Sequence, residues 1–235
     1  MRATEFLSEL TGIKKYTSQI GAADPWAPYE TDADEYPDVA NQSVQYQKIL
    51  IKQGFREIGA GGSGSVWAHP GRPGEVLKVF TSTDKGYSNW VSICQSHRGN
   101  PNLPKFYSAK PRNLTKDFAA VRMELLKASP LHNAGIARQI GVLVTNCAWG
   151  NKVQGPAEPS ATAQDMIKYM ESAGPDHNGY ERFNLVKDYL VKDPGFVKAL
   201  WILTTAVRGN KGTPDLQGAN IMQRGTTYVL ADPLS

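Results

Sequence analysis

Three polar residues towards the C-terminal end of the sequence stand at a spacing that suits chemistry on a phosphorylated ligand. Asp215 is followed five residues later by Asn220, and Asp232 lies twelve residues beyond Asn220. Phosphoryl transfer needs a carboxylate beside the acceptor hydroxyl, and oxygen ligands that hold Mg²⁺ against phosphate. An Asp on a tight loop, an Asn at its exit and an Asp after a buried strand supply those parts. Taken singly, each is an ordinary turn residue. A second group lies far upstream, where Gly59-Ala60-Gly61-Gly62-Ser63-Gly64-Ser65-Val66 fits G-x-G-x-x-G-x-V throughout. Nineteen residues after Gly59 comes Lys78, inside the apolar run Val76-Leu77-Lys78-Val79. A glycine hairpin can fold over a triphosphate because no Cβ blocks its N–H groups, and a lysine ammonium can then meet the phosphates.

The elements around these residues decide between readings. In a dinucleotide-binding fold the same glycines open a helix whose N-terminus receives the pyrophosphate. Here both flanks read as strand, followed by a turn at Pro70–Gly74 and a further strand Glu75–Phe80. The competing reading of Lys78 is an edge-strand lysine whose stem lies along the sheet while its head reaches water. A helix capped near Asp84 follows, with Tyr87, Trp90, Val91 and Cys94 on one face. Arg98–Pro111 is loop and short strand, and Phe118–Leu126 is a strand. After the Pro/Gly-rich stretch Gly150–Ser160, Thr162 and Asp165 have capping-box spacing for a helix through about Ser172. Tyr180–Val191 is helical, and Asp193-Pro194 opens another helix to about Arg208. The final hairpin turns at Arg224–Gly225 and ends in the strand Tyr228–Ala231. Strands first, helices second and a hairpin last predict an α+β fold.

Composition narrows the classes. The 235 residues include 26 Lys and Arg against 22 Asp and Glu, a formal charge of +4, well short of a dedicated nucleic-acid binder. Apolar content of 40% permits a sizeable core. Two cysteines, Cys94 and Cys147, are too few for a disulfide framework or a four-thiolate metal site, and core packing is expected of both. His69, His97, His132 and His177 are scattered and read as turn or surface residues. Glu5 and Glu9 fall where a signal peptide needs an apolar core, and no apolar run approaches the ~20 residues that span a bilayer. A soluble chain in a reducing cytoplasm is expected. Residues 1–50 carry four bases and eight acids, a charge of −4 that leaves +8 for the remainder. Within them, Asp24–Asp38 holds six acids, no base and three prolines, which predicts an extended linker or an acidic strap.

Together these residues resemble the protein-kinase-like superfamily, and within it the early serine/threonine protein kinases of short-tailed lytic phages. The likeness covers about residues 53–235. It includes the His-Pro turn Ala68-His69-Pro70 after the glycine loop, the R-G-x-P-x-(I/L)-P stretch Arg98–Pro104, the G-x-N-I-M segment Gly218–Met222, and D-P-(V/L)-S at Asp232–Ser235 in place of D-F-G. The resemblance implies a two-lobed kinase-like fold, with a small antiparallel-sheet N-lobe and a reduced helical C-lobe. Residues 1–50 would be a leader, 51–126 the N-lobe and hinge, and 127–235 the C-lobe. It implies ATP and Mg²⁺ as cofactors. Gly59, Gly61, Gly64 and Lys78 would position phosphates, Asp215 would serve the acceptor hydroxyl, and Asn220 and Asp232 would hold the metal. Met123 would be the gatekeeper, the Glu124–Leu126 backbone would face adenine, and Ile58, Val66 and Met222 would form the apolar slot around it. The implied activity is phosphorylation of host bacterial proteins in the host cytoplasm, including transcription, translation and RNA-processing machinery, together with autophosphorylation.

Three departures qualify that expectation. Lys85–Lys116 contains no Asp or Glu, so the helix glutamate that usually pairs with the strand lysine is missing, and Gln95, Asp84, Asp232 or the phosphates are left as partners for Lys78. Thr213-Pro214 replaces His-Arg before Asp215, which removes control through a phosphorylated activation loop. Only three residues follow Asp232, so acceptor contacts are expected from the leader, from Gly150–Gly179 or from another subunit. Two other functions stay open: a small-molecule phosphotransferase of aminoglycoside- or fructosamine-kinase type, and a pseudokinase that docks a host protein. Ser63 and Ser65 read as small turn residues, with self-phosphorylation as the competing reading.

Overall fold

A computed structural model describes residues 39–61, 64–132, 136–149, 164, 167–168, 186–216 and 220–235. The chain forms two compact units. Among the described residues, one comprises those up to Ser82 together with Pro111–Met123, and the other those of Thr83–Lys110 and of Glu124–Ser235. The first unit ends at Met123 and the second resumes at Glu124, and the helix that follows the lysine strand is counted with the second unit. The class is α+β, as expected.

The first unit is a five-stranded sheet with one helix. Helix α1 (Val39–Lys52) is followed by β1 (Arg56–Gly61), β2 (Gly64–Ala68), β3 (Glu75–Thr81), β4 (Arg112–Asn113) and β5 (Phe118–Glu124, whose last residue counts with the second unit). Strand order is β1-β2-β3-β5-β4, with β1/β2, β2/β3 and β4/β5 antiparallel. The period-two burial of β2 is the reason it is a strand: Ser65 and Trp67 point into the core while Gly64, Val66 and Ala68 lie on the other face. Tyr46 and Leu50, one helical turn apart on α1, pack with Phe55, Trp67, Leu77, Val79, Phe118 and Ala120. Helix α1 was not expected from the sequence, which reads these residues as the end of a leader. Strand β5 stops at Glu124, two residues before the expected end, and Leu125 is exposed.

The second unit contains α2 (Lys85–Ser96), β6 (Lys127–Ala128), a 3₁₀ turn at Pro130–His132, α3 (Ile136–Trp149), a helical stretch at 186–192, α4 (Pro194–Arg208), β7 (Ile221–Arg224) and β8 (Thr227–Leu230). Asp84 caps α2 by accepting from the Tyr87 N–H at 2.8 Å, and the predicted face Tyr87, Trp90, Val91 and Cys94 is buried. Asp193 caps α4 in the same way through the Phe196 N–H, with Pro194 in the first turn. Helix α3 packs on α4, and Arg208 fixes the pair by donating twice to the Cys147 carbonyl, at 3.2 and 2.6 Å. Strands β6, β7 and β8 form a small sheet in that order. The β7–β8 turn sits at Gly225-Thr226, one residue later than expected, so Arg224 is a strand residue. The helix predicted over Thr162–Ser172 lies mostly outside the described residues, of which 164, 167 and 168 are helical. Cys94 and Cys147 are free and buried. No helix among the described residues is long and apolar enough to cross a membrane.

Candidate functional site

The glycine sequence builds an antiparallel hairpin, with Gly59 opposite Val66, Ala60 opposite Ser65 and Gly61 opposite Gly64, after an irregularity at Ile58. Its three described glycines have different reasons to be glycine. A Cβ on Gly64 would stand 2.1 Å from the Val79 carbonyl oxygen, so the close approach of β2 to β3 demands glycine there. Among the described residues, Gly59 and Gly61 have no neighbour within 4 Å of such a Cβ, and neither has a positive φ. No contact with a described residue requires glycine at either position; what their absent side chains leave is open space beside backbone N–H groups, which suits a phosphate. Gly62 and Ser63 lie outside the described residues.

Lys78 lies on β3, the middle strand of the five, which removes the edge-strand reading. Val66 is its direct cross-strand partner, so the two side chains share the sheet face opposite α1. Lys78 is half-buried, as is Val66, while Ile58 is 43% exposed. Ser65 faces the core instead. It is buried, its Oγ accepts from Trp67 Nε1 at 2.7 Å, and it lies 3.1 Å from the Tyr46 hydroxyl. A hydroxyl held in this way is not presented for self-phosphorylation.

The polar residues of the second unit are tied to one another through backbone. Thr213 and Ser235 exchange hydrogen bonds at 2.8 and 3.0 Å, and the Asp215 N–H donates to the Pro233 carbonyl at 2.8 Å. The segment before the loop is thus laddered to the residues just after Asp232. At the loop's exit, Asn220 Nδ2 donates to the Asp215 carbonyl at 2.6 Å, while the Asn220 carbonyl accepts from the Ala231 N–H at 2.9 Å. Buried Leu216 and Ile221 anchor the two ends. Asp215, Asn220 and Asp232 are consequently gathered together, all half-buried. Because a carbonyl only accepts, the Asn220 contact must be made by its NH₂, which leaves Oδ1 as the acceptor end of the amide. Among the described residues no three His, Cys, Asp or Glu side chains cluster at metal-binding spacing. A carboxylate and an amide oxygen are the donor set for Mg²⁺ that completes its coordination with phosphate and water. Asp232 also lies near Tyr87, whose hydroxyl is pushed well above its ordinary range by complete burial and, secondarily, by the Asp232 charge.

The segment expected to face adenine begins at buried Met123, the last residue of the first unit. Glu124 departs from the expectation. Its backbone N–H donates to the Lys105 carbonyl at 3.0 Å, and its buried carboxylate accepts from Lys105 N–H and from Arg224. Leu126 is buried, and Met222 is half-buried on β7 opposite Ala128. Of the predicted site residues, Ile58, Gly59, Gly61, Gly64, Val66, Lys78 and Met123 belong to the first unit. Glu124, Leu126, Asp215, Asn220, Met222 and Asp232 belong to the second.

Other motif residues prove architectural. Gln95 donates to the carbonyls of Phe106 and Ser108 and accepts from Arg98. In the Arg98–Pro104 stretch, Asn100 donates to the Gly195 carbonyl at 3.3 Å, and fully buried Asn102 donates to Asp193 and to the Tyr228 carbonyl. These asparagines tie the start of α4 to β8. His69 is the turn residue expected, its carbonyl accepting from the Arg72 N–H at 3.0 Å, and its ring is buried rather than on the surface. Its Nδ1 accepts from the Gly71 N–H, so Nε2 carries the proton and donates to the Gln53 carbonyl at 3.1 Å. Arg224 is the residue whose importance the sequence reading missed. A lone acid inside the apolar strand around Glu124 was the signal that a buried cation had to meet it.

No protein-family profile and no curated protein sequence matches the chain. Among solved structures it is similar to a protein from Haemophilus somnus 129PT assigned as a fructosamine-3-kinase, with 12% identity and a TM-score of 0.32 over 77% of this chain and 65% of that one. It is also similar to the GDP complex of a point mutant of aminoglycoside 2′-phosphotransferase-IIIa, again with 12% identity and a TM-score of 0.32, over 81% of this chain and 69% of that one. The chain thus spans just under two thirds of the length of the first.

Proposed function

We propose that the protein is an ATP- and Mg²⁺-dependent phosphotransferase that phosphorylates serine and threonine hydroxyls of host bacterial proteins, as a phage product acting in the host cytoplasm. The observation that supports this reading is the gathering of Asp215, Asn220 and Asp232 by backbone hydrogen bonds, with the Asn220 amide nitrogen donating to the Asp215 carbonyl. ATP supplies the γ-phosphoryl group, and Asn220 and Asp232 would hold Mg²⁺, which would supply charge neutralisation at the phosphates. Gly59 and Gly61 leave room for phosphate oxygens beside their N–H groups, and Lys78 adds a positive charge. Asp215 orients the acceptor hydroxyl and takes its proton as the new P–O bond forms and ADP departs.

Purified protein incubated with Mg²⁺, γ-labelled ATP and bacterial lysate should label proteins. Asp215→Ala should lower transfer by at least ~100-fold while nucleotide binding persists, and Asp232→Ala should weaken Mg·ATP binding as well. Label entering free metabolites instead would replace protein acceptors with small molecules. Full transfer by both variants would refute the assignment of roles.

A further inference from the structure

Resting on the nucleotide-binding reading above, we infer that Arg224 is a positioning residue for base recognition, which acts by clamping the adenine-facing segment through Glu124. Arg224 commits its whole guanidinium to this task. Nε donates to Glu124 Oε2 at 2.6 Å, one terminal nitrogen donates to Glu124 Oε1 and to the Leu103 carbonyl, and the other donates to the Pro101 carbonyl at 2.6 Å. Glu124 in turn takes the Lys105 N–H on Oε1 at 2.8 Å and gives its own N–H to the Lys105 carbonyl at 3.0 Å. The pair is sheltered, with side-chain exposures of 9% for Glu124 and 26% for Arg224.

The position of this clamp gives it a consequence beyond stability. Immediately after the Glu124–Leu126 segment, Lys127 and Ala128 pair with Gln223 and Met222 on β7. The segment is therefore fastened to β7 at both ends, by the Arg224 ion pair at one and by the β6 ladder at the other. Met222, two residues from Arg224 on the same strand face, is the side chain expected beneath the base. Backbone that reads a base edge must hold its carbonyl and N–H at fixed separation, since hydrogen bonds weaken steeply with misalignment. Arg224 sets that separation relative to Met222. Lysine cannot replace it, because one ammonium cannot serve a carboxylate in two places and two carbonyls in a plane.

The test is calorimetric titration of the full chain with Mg·ATP and, separately, with Mg·tripolyphosphate, which carries the phosphates without the base. In Arg224→Lys, ATP affinity should fall about tenfold, the weight of one misplaced hydrogen bond at the base, while tripolyphosphate affinity stays within about twofold. Glu124→Gln, which keeps the shape but not the charge, should show the same selective loss, and circular dichroism checks that each variant is folded. Equal losses for both ligands, or no loss for ATP, would overturn the inference. A wild-type protein that binds neither ligand would overturn the nucleotide reading itself.

Discussion

Replacing the glycines of the hairpin one at a time separates ligand space from packing. At Gly64 the added methyl lands 2.1 Å from the Val79 oxygen and 3.2 Å from Phe80 Cα, both backbone atoms that no rotamer change can move. Bringing the first contact to the 3.0–3.4 Å of tight packing requires β2 and β3 to part by roughly 1 Å at Gly64, which is paired with Phe80. Overpacking on that scale plus one weakened ladder bond costs about 3 kcal/mol, or about 6–12 °C of melting temperature for a chain of this size. At Gly61 the same methyl meets no described residue within 4 Å and the φ is ordinary, so Gly61→Ala should shift the melting temperature by no more than ~2 °C. Its cost should appear in function instead, as a rise of about tenfold in the KM for Mg·ATP where the methyl fills space left for phosphate. Differential scanning fluorimetry and initial-rate kinetics on Gly59→Ala, Gly61→Ala and Gly64→Ala read both axes. If Gly61→Ala melted as early as Gly64→Ala, or kept its KM, the phosphate role of the hairpin would be wrong.

Two further outcomes follow from buried titratable groups. Burial, reinforced by the Arg72 charge and only partly offset by the hydrogen bond to Gln53, holds the His69 imidazole below its ordinary pKa of 6.5. The folded state therefore favours the neutral ring: the stability this confers is full above about pH 6.5 and is lost as pH falls through the lower folded value. Chemical denaturation between about pH 8 and pH 5 should show that loss in the wild type and a flatter profile in His69→Gln. Burial also raises the thiols, Cys147 to about 12 with Arg208 opposing, and Cys94 well above its usual range. Neither should react appreciably with iodoacetamide at about pH 8 until denaturant is added, as intact-mass spectrometry would record.

What the sequence made legible was whatever rests on local spacing. The α2 face from Tyr87 to Cys94 and the Asp193-Pro194 start of α4 obey periodicity and capping, and they emerged as expected. So did the glycine hairpin, because turn and strand propensity agree there. Helix α1 did not, since Tyr46 and Leu50 are its only deeply buried described residues, too sparse a stripe to stand out beside an acidic leader. Helix α3 also went unread as a helix, although Ala137, Ile140, Val144 and Cys147 line its buried face. For the candidate site, residue types and spacing suggested Asp215, Asn220 and Asp232, but not the backbone pairing that gathers them. Contacts such as Asp215 to Pro233, or Asn102 to Asp193 and Tyr228, join segments far apart in the chain and leave no periodic trace. The role of Arg224 was hidden for the same reason, one hundred residues from Glu124.

The ladder between Thr213–Asp215 and Pro233–Ser235 limits how this protein can be regulated. Swinging the Asp232 segment outward, as an off-switch would require, means breaking three main-chain hydrogen bonds at once and releasing buried Leu234. At roughly 1 kcal/mol for each bond, the outward form is populated below ~1% of the time even before the leucine is counted. The backbone at Asp215 and Asp232 is thus held as one piece, and under the proposed phosphotransferase reading control of turnover would work through access of the substrates rather than by pulling the two carboxylates apart.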